Sequence, residues 1–242
     1  MAVAMLAIAT PAASRAADTN VAVAANFTEP AKRIARLFEQ RTGDRAILSF
    51  GATGQFYAQI RQGAPFQVFL AADQRTPRRL VDEGLAVGDT LFTYAVGKLV
   101  LFSADPVLVR GEQTLRDGKF ARIAIANPAT APYGAAAVQA MKALAVYDKL
   151  SGRIVQGNNI AQTFQFVDTG NADLGFVALS QVVERPAGSR WVVAADLYSP
   201  ILQDAVLLKN SAGQDAAQAF VAFLKTREAA AVIESFGYGS KE

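Results

Sequence analysis

The sequence predicts an α/β fold of two Rossmann-like lobes that face each other across a ligand cleft, linked by two crossing hinge segments. Three observations predict it. Short apolar runs alternate with helical patterns along the 242 residues, which is the rhythm of βαβ units. The rhythm restarts after a strongly β-forming run at residues 98–103. No Pro- or Gly-rich linker separates the halves, so the chain must cross between lobes twice, near residues 96–100 and 196–203.

The elements follow in order. Residues 21–25 read as the opening strand. Residues 29–41 read as a helix with Ile34, Leu37 and Phe38 on one face, stopped by Gly43. Residues 45–50 form a second strand and 55–62 a second helix. Residues 66–71 form a third strand, followed by a helix over 76–83 that ends at Gly84. After the strand at 98–103, residues 122–126 read as strand and 134–144 as helix. Residues 153–156 read as strand, 160–169 as helix, and 173–178 and 191–194 as strands. A last strand spans 203–208, and one helix spans 214–236. Lobe I then takes residues 18–97 plus 203–242, and lobe II takes 98–202. Ligands of open α/β sheets sit at the carboxyl ends of the strands, so two facing lobes make a cleft and the crossings make a hinge.

Composition narrows the chemistry. Hydrophobic residues make up 52% and charged residues 19%, values of a globular chain. The net charge of +3, from 24 basic and 21 acidic residues, is spread along the sequence. Only Arg75, Arg78 and Arg79 cluster, beside Asp82 and Glu83, as on a solvated helix face; no nucleic-acid partner is expected. There is no His and no Cys, which removes His acid–base catalysis, Cys nucleophiles, disulfides and nearly all zinc or copper sites. Asp73 and Asp173 could be read as a catalytic pair, but a cap and a surface-turn residue suit their positions better. Trp191 reads as lobe packing. No enzymatic activity is expected. Residues 1–17 are apolar, then small, like a secretion signal cleaved near Ala17, which predicts export to the periplasm. No other segment reaches about 18 uninterrupted apolar residues, so no membrane insertion is expected.

Two strand-to-helix turns carry the most information. Residues 21–30 read Val-Ala-Val-Ala-Ala-Asn-Phe-Thr-Glu-Pro, and 48–56 read Leu-Ser-Phe-Gly-Ala-Thr-Gly-Gln-Phe. Such turns leave backbone N–H groups of the first helical turn unpaired at the positive end of the helix dipole. Two of them converging make an anion pocket that needs no charged side chain. Asn26 also suits an N-cap, Asn158 and Asn159 suit the cap of a later helix, and Tyr133 after Pro132 suits core packing.

With residues 63–74 (Gly-Ala-Pro-Phe-Gln-Val-Phe-Leu-Ala-Ala-Asp-Gln), 126–134 (Ala-Asn-Pro-Ala-Thr-Ala-Pro-Tyr-Gly) and 172–178 (Ala-Asp-Leu-Gly-Phe-Val-Ala), these turns resemble the periplasmic molybdate-binding proteins of ABC importers. The resemblance implies a type II periplasmic binding protein that holds one tetrahedral oxyanion between its lobes. It implies a monomer without cofactor that docks on a membrane permease. Molybdate is the expected ligand and tungstate an accepted one; sulfate or another small anionic solute is the alternative. Molybdenum would enter only inside the oxyanion, with no direct metal ligand from the protein. Matched position by position, the resemblance places Asn26, Thr53, Tyr133 and Ile160 at the anion, with Ala25, Phe27, Gly54 and Asn159 as neighbouring contributors. Ile160 is selected by the resemblance alone; its side chain by itself reads as core. Many members carry a tyrosine after the strand at 173–178, where this chain has Ala178, and Tyr133 is expected to supply that hydroxyl.

Overall fold

A computed structural model describes residues 17–211 and 215–240. The expected secretion signal, apart from Ala17, lies outside the described residues. In chain order the elements are β1 (Asp18–Ala24), a 3-10 turn (Ala25–Phe27), α1 (Thr28–Thr42), β2 (Arg45–Gly51), α2 (Thr53–Arg61), β3 (Val68–Leu70), α3 (Arg75–Asp82) and β4 (Phe92–Gly97). There follow β5 (Leu99–Ser103), α4 (Gln113–Asp117), β6 (Ile123–Ala126), α5 (Pro132–Ala143), α6 (Tyr147–Leu150), β7 (Ile154–Gly157), α7 (Ile160–Asp168), β8 (Leu174–Ala178), α8 (Leu179–Val182) and β9 (Ser189–Val192). The described chain closes with β10 (Ile201–Leu207), α9 (Asp215–Leu224) and α10 (Arg227–Ser235).

These strands build two five-stranded sheets, ordered β2-β1-β3-β10-β4 and β7-β6-β8-β5-β9. The chain passes from the first sheet to the second through Lys98 alone, between β4 and β5, and returns between β9 and β10. The sheets are mixed. β1 pairs in parallel with β2 and β3, and β6 with β7 and β8. β10 and β5 pair antiparallel with both of their neighbours. Helical crossovers impose parallel pairing, and β5 and β10 enter their sheets from the opposite lobe without one.

The inner strands are apolar throughout because both faces are covered. Val21, Val23, Val68 and Leu70 pack under α1 and α9, while Ala22, Phe69 and Val206 pack on the opposite face with Phe56 and Leu80. In the second lobe, Leu99, Leu101, Ile123 and Phe176 form one face with α5. Val100, Phe102, Ala124 and Val177 form the other with Val167 of α7. The large core of the second lobe reaches across to Ala24, Ala25, Ala52 and Ala72 of the first, so the lobes touch through small side chains.

Some local readings change. The single helix expected over 214–236 is two, because Thr226 caps a new start by accepting the Ala229 N–H. β4 was not anticipated; its Phe-Thr-Tyr-Ala-Val-Gly run merges with the next strand, with one lysine between them. α4, α6 and α8 are too short to show a period. Among the described residues no helix is long and apolar enough to cross a membrane.

Candidate functional site

The three helices α2, α5 and α7 begin at the carboxyl ends of β2, β6 and β7. Their first N–H groups stand outside the helical ladder. Sequence makes each start possible. Pro132 opens α5, where a missing N–H costs nothing. Gly134 lets that helix sit on β6: a Cβ there would lie 2.1 Å from the Ala126 carbonyl oxygen. Asn159 caps α7, its Oδ1 accepting the Gln162 N–H at 3.0 Å. A Cβ on Gly157 would lie 2.7 Å from Thr163 Oγ1, so only glycine allows the tight β7–α7 turn.

These helix starts converge with the 3-10 turn after β1. Ala25, Asn26, Thr53, Tyr133, Asn159 and Ile160 border one cavity of about 10 Å³, with Ala24, Gly51, Ala52, Ala72, Ala131 and Pro132 completing its wall. No Lys, Arg, Asp or Glu is among them. Pockets for drug-sized ligands run to roughly 300–1,000 Å³, so this space is far below that class and near the size that holds a single small guest.

Thr53 is buried, and its Oγ1 accepts the Ala72 N–H at 3.0 Å. Its hydroxyl proton is therefore left to donate. The Ile160 N–H is the first of α7, behind a satisfied cap. Tyr133 is almost wholly buried, and its hydroxyl accepts from Gln203 Nε2 at 3.3 Å. Asn26 does not cap α1, which has no side-chain cap. Its Nδ2 donates to Gln203 Oε1 and to the Tyr238 hydroxyl, both at 2.9 Å. Both amide hydrogens are thus spent inside the protein, and what Asn26 has left to give an anion is its backbone N–H.

Phe27 and Gly54 stand apart from the cavity. The Phe27 ring packs edge-on against Tyr94 and Tyr238, with centroids 4.8 and 5.4 Å away. The Gly54 N–H donates to the Thr130 carbonyl at 2.9 Å and joins the two lobes instead. A Cβ on Gly54 would lie 3.1 Å from Thr130 Cα, so the residue is small for closeness between lobes.

Behind the cavity lies a buried polar cluster that sequence reasoning missed. Gln203 of β10 is fully buried, and its Oε1 lies within hydrogen-bond reach of both Asn26 Nδ2 and the Tyr94 hydroxyl. Tyr238, beyond α10, donates to the Asn26 carbonyl at 2.8 Å. Burial pushes the Tyr94 and Tyr133 hydroxyls well above the ordinary tyrosine value and Tyr238 up to about 12. They remain protonated donors at any physiological pH. One signal was available: Gln203 and Asp204 interrupt an otherwise apolar strand, and buried polar residues need partners.

The acidic residues have structural tasks. Asp73 Oδ1 accepts the N–H of Thr76 in the first turn of α3 at 2.7 Å. Asp173 Oδ2 accepts the N–H groups of Ala121 and Arg122 at 2.7 and 2.8 Å. Trp191 lies in β9 opposite Leu101 and packs on the second core. Among the described residues no cluster of acidic side chains could hold a metal ion.

Two α/β lobes enclosing a small donor-lined cavity define a solute receptor, and residues 19–239 match the bacterial extracellular solute-binding proteins; the chain belongs to that family. Its relatives are specific within it. The molybdate-binding protein ModA of Rhodobacter capsulatus is 52% identical over 234 residues, covering 97% of this chain and 92% of that protein. The molybdate-binding protein ModA of Azotobacter vinelandii is 54% identical over 231 residues, covering 94% and 92%. The solved Azotobacter vinelandii periplasmic molybdate-binding protein superposes with a TM-score of 0.90 and 40% identity, over 93% of this chain and all of that one.

Proposed function

We propose that this protein captures molybdate, and with it tungstate, in the periplasm and delivers the anion to the membrane permease of an ABC importer. It acts as a monomer, without catalysis and without a cofactor. One observation carries the reading: a cavity between two lobes, bordered by helix N-termini and a threonine hydroxyl, with no charged side chain. The names of the relatives support it.

The chemistry follows from the ligand. Molybdate offers four oxygens that only accept hydrogen bonds, so its receptor is built of donors. The Thr53 hydroxyl, the N–H groups at the starts of α2, α5 and α7, and the backbone around Ala25 and Asn26 are the donor set. Tyr133 adds its N–H or its hydroxyl, replacing the tyrosine absent at Ala178. Hydrogen bonds to a charged group contribute about 1.5–3 kcal/mol each. Six or seven of them, less closure and immobilisation, leave roughly −9 to −12 kcal/mol. Lobe I (18–97 plus 203–242) and lobe II (98–202) move about the two crossings. Anion bound to the first lobe gains donors from the second only on closure, so ligand favours the closed state.

Selectivity comes from size and protonation. Molybdate and tungstate are alike in both. Sulfate is smaller, and its hydrogen bonds in the same cage would be long. Phosphate near neutrality carries a proton that finds no carboxylate at the wall to accept it. Calorimetric titration with the four anions tests this: molybdate and tungstate bind at micromolar or lower concentration and sulfate far more weakly. Equal affinity for sulfate would overturn the molybdate assignment.

A further inference from the structure

The Asn26 carbonyl is an unusual acceptor. It stands at the start of α1, where a helix would pair it with the N–H four residues on. That residue is Pro30, which has no N–H. A buried carbonyl left unpaired is costly, and two side chains meet it instead. Ser180 Oγ donates at 2.7 Å and the Tyr238 hydroxyl at 2.8 Å. The two hydroxyls are 3.1 Å from each other. All three residues are buried.

They come from different lobes. Asn26 follows β1 of the first sheet, and Tyr238 is tied to that sheet by the Val96–Gly239 bridge to β4. Ser180 sits on α8, directly after β8 of the second sheet. Ser180 does not border the small cavity. Its bond to Asn26 can exist only with the lobes together, and it secures the residue that forms part of the cavity wall.

We propose that Ser180 is a closure latch and that Ser180 with Tyr238 positions Asn26 for the anion. The inference rests on the oxyanion-capture reading above. Anion enters the open molecule without meeting Ser180; the latch engages as the cleft shuts. Tyr238 holds the carbonyl in both states, and Ser180 adds the second donor only in the closed one. Ser180 therefore acts on release more than on capture.

Rapid-mixing measurements of molybdate association and dissociation on the whole protein test this, using S180A, S180T and Y238F. S180A is expected to release molybdate about five- to tenfold faster with an unchanged association rate. S180T, which keeps the hydroxyl, restores slow release. Y238F weakens binding through Asn26, while its ligand-free melting temperature falls by no more than one buried hydrogen bond accounts for. If the parent protein binds no molybdate, the capture reading itself fails. If the parent binds and S180A releases at the parental rate, the latch is wrong. Equal loss in S180A and S180T would overturn it in favour of simple packing, and Y238F binding like the parent would remove the positioning role of Tyr238.

Discussion

At the scale of single residues, the proposed site works by sparing protons. Thr53 accepts one N–H and so keeps its hydroxyl hydrogen for a ligand. Thr53→Ala and Tyr133→Phe are each expected to weaken molybdate binding by about 1–2 kcal/mol, read by calorimetry. The buried tyrosines also set a pH limit. Unfolded tyrosine loses its proton near pH 10, while burial lets Tyr238 hold its own to about 12 and keeps Tyr94 and Tyr133 protonated well above the ordinary value. Above pH 10 the unfolded chain therefore binds fewer protons than the folded one, and stability falls as pH rises. Urea unfolding should show this contribution intact at pH 7–9 and lost progressively above pH 10. At this scale the sequence was a partial guide. Thr53 and Tyr133 could be picked from their turns, whereas the contribution proposed for Ile160 is a backbone N–H that no side chain announces. Asn26 stands out in its turn as a polar residue, but its amide serves Gln203 and Tyr238, partners more than 170 residues away in sequence.

At the scale of elements, the helix starts aim the proposed donors. Asn159→Ala removes the α7 cap and should cost about 1 kcal/mol of stability by chemical denaturation. The same change loosens the Ile160 N–H, so molybdate affinity should fall with it. Gly134→Ala is harsher, because the added methyl meets the Ala126 carbonyl; the start of α5 must shift. Most elements were legible, since α1, β2 and α7 carry strong periods and clear stops such as Gly43 in the left-handed region at φ 81°. The antiparallel entry of β5 and β10 was not, because strand direction depends on which lobe the chain arrives from. The break at Thr226 was missed because apolar spacing runs on through it, although a threonine cap was there to be seen.

At the scale of the whole molecule, the capture proposal makes binding and shape one equilibrium. Polar contacts between the lobes include Gly54 to Thr130, Ser180 to Asn26 and to Tyr238, Gln203 to Tyr133, and an exposed Arg33–Glu184 pair at 3.4 Å. On the capture proposal, a bound anion adds to these contacts and favours the closed state. Small-angle scattering should show a smaller radius of gyration with molybdate. The melting temperature should rise with ligand, the stabilisation reaching about 2.7 kcal/mol at a hundredfold excess over Kd. The two-lobe plan was legible because the βα rhythm stops and restarts. The polar cluster that joins the lobes was not, since its members are scattered from residue 26 to residue 238. The most direct test of a charge-free donor cage is a crystal structure with molybdate, located by anomalous scattering at the molybdenum edge. The account predicts one molybdenum centre between the lobes, its oxygens bonded by Thr53, by the start of α5 at Tyr133 and by the Ile160 N–H. Molybdenum found elsewhere, or held by lysine or arginine, would contradict it.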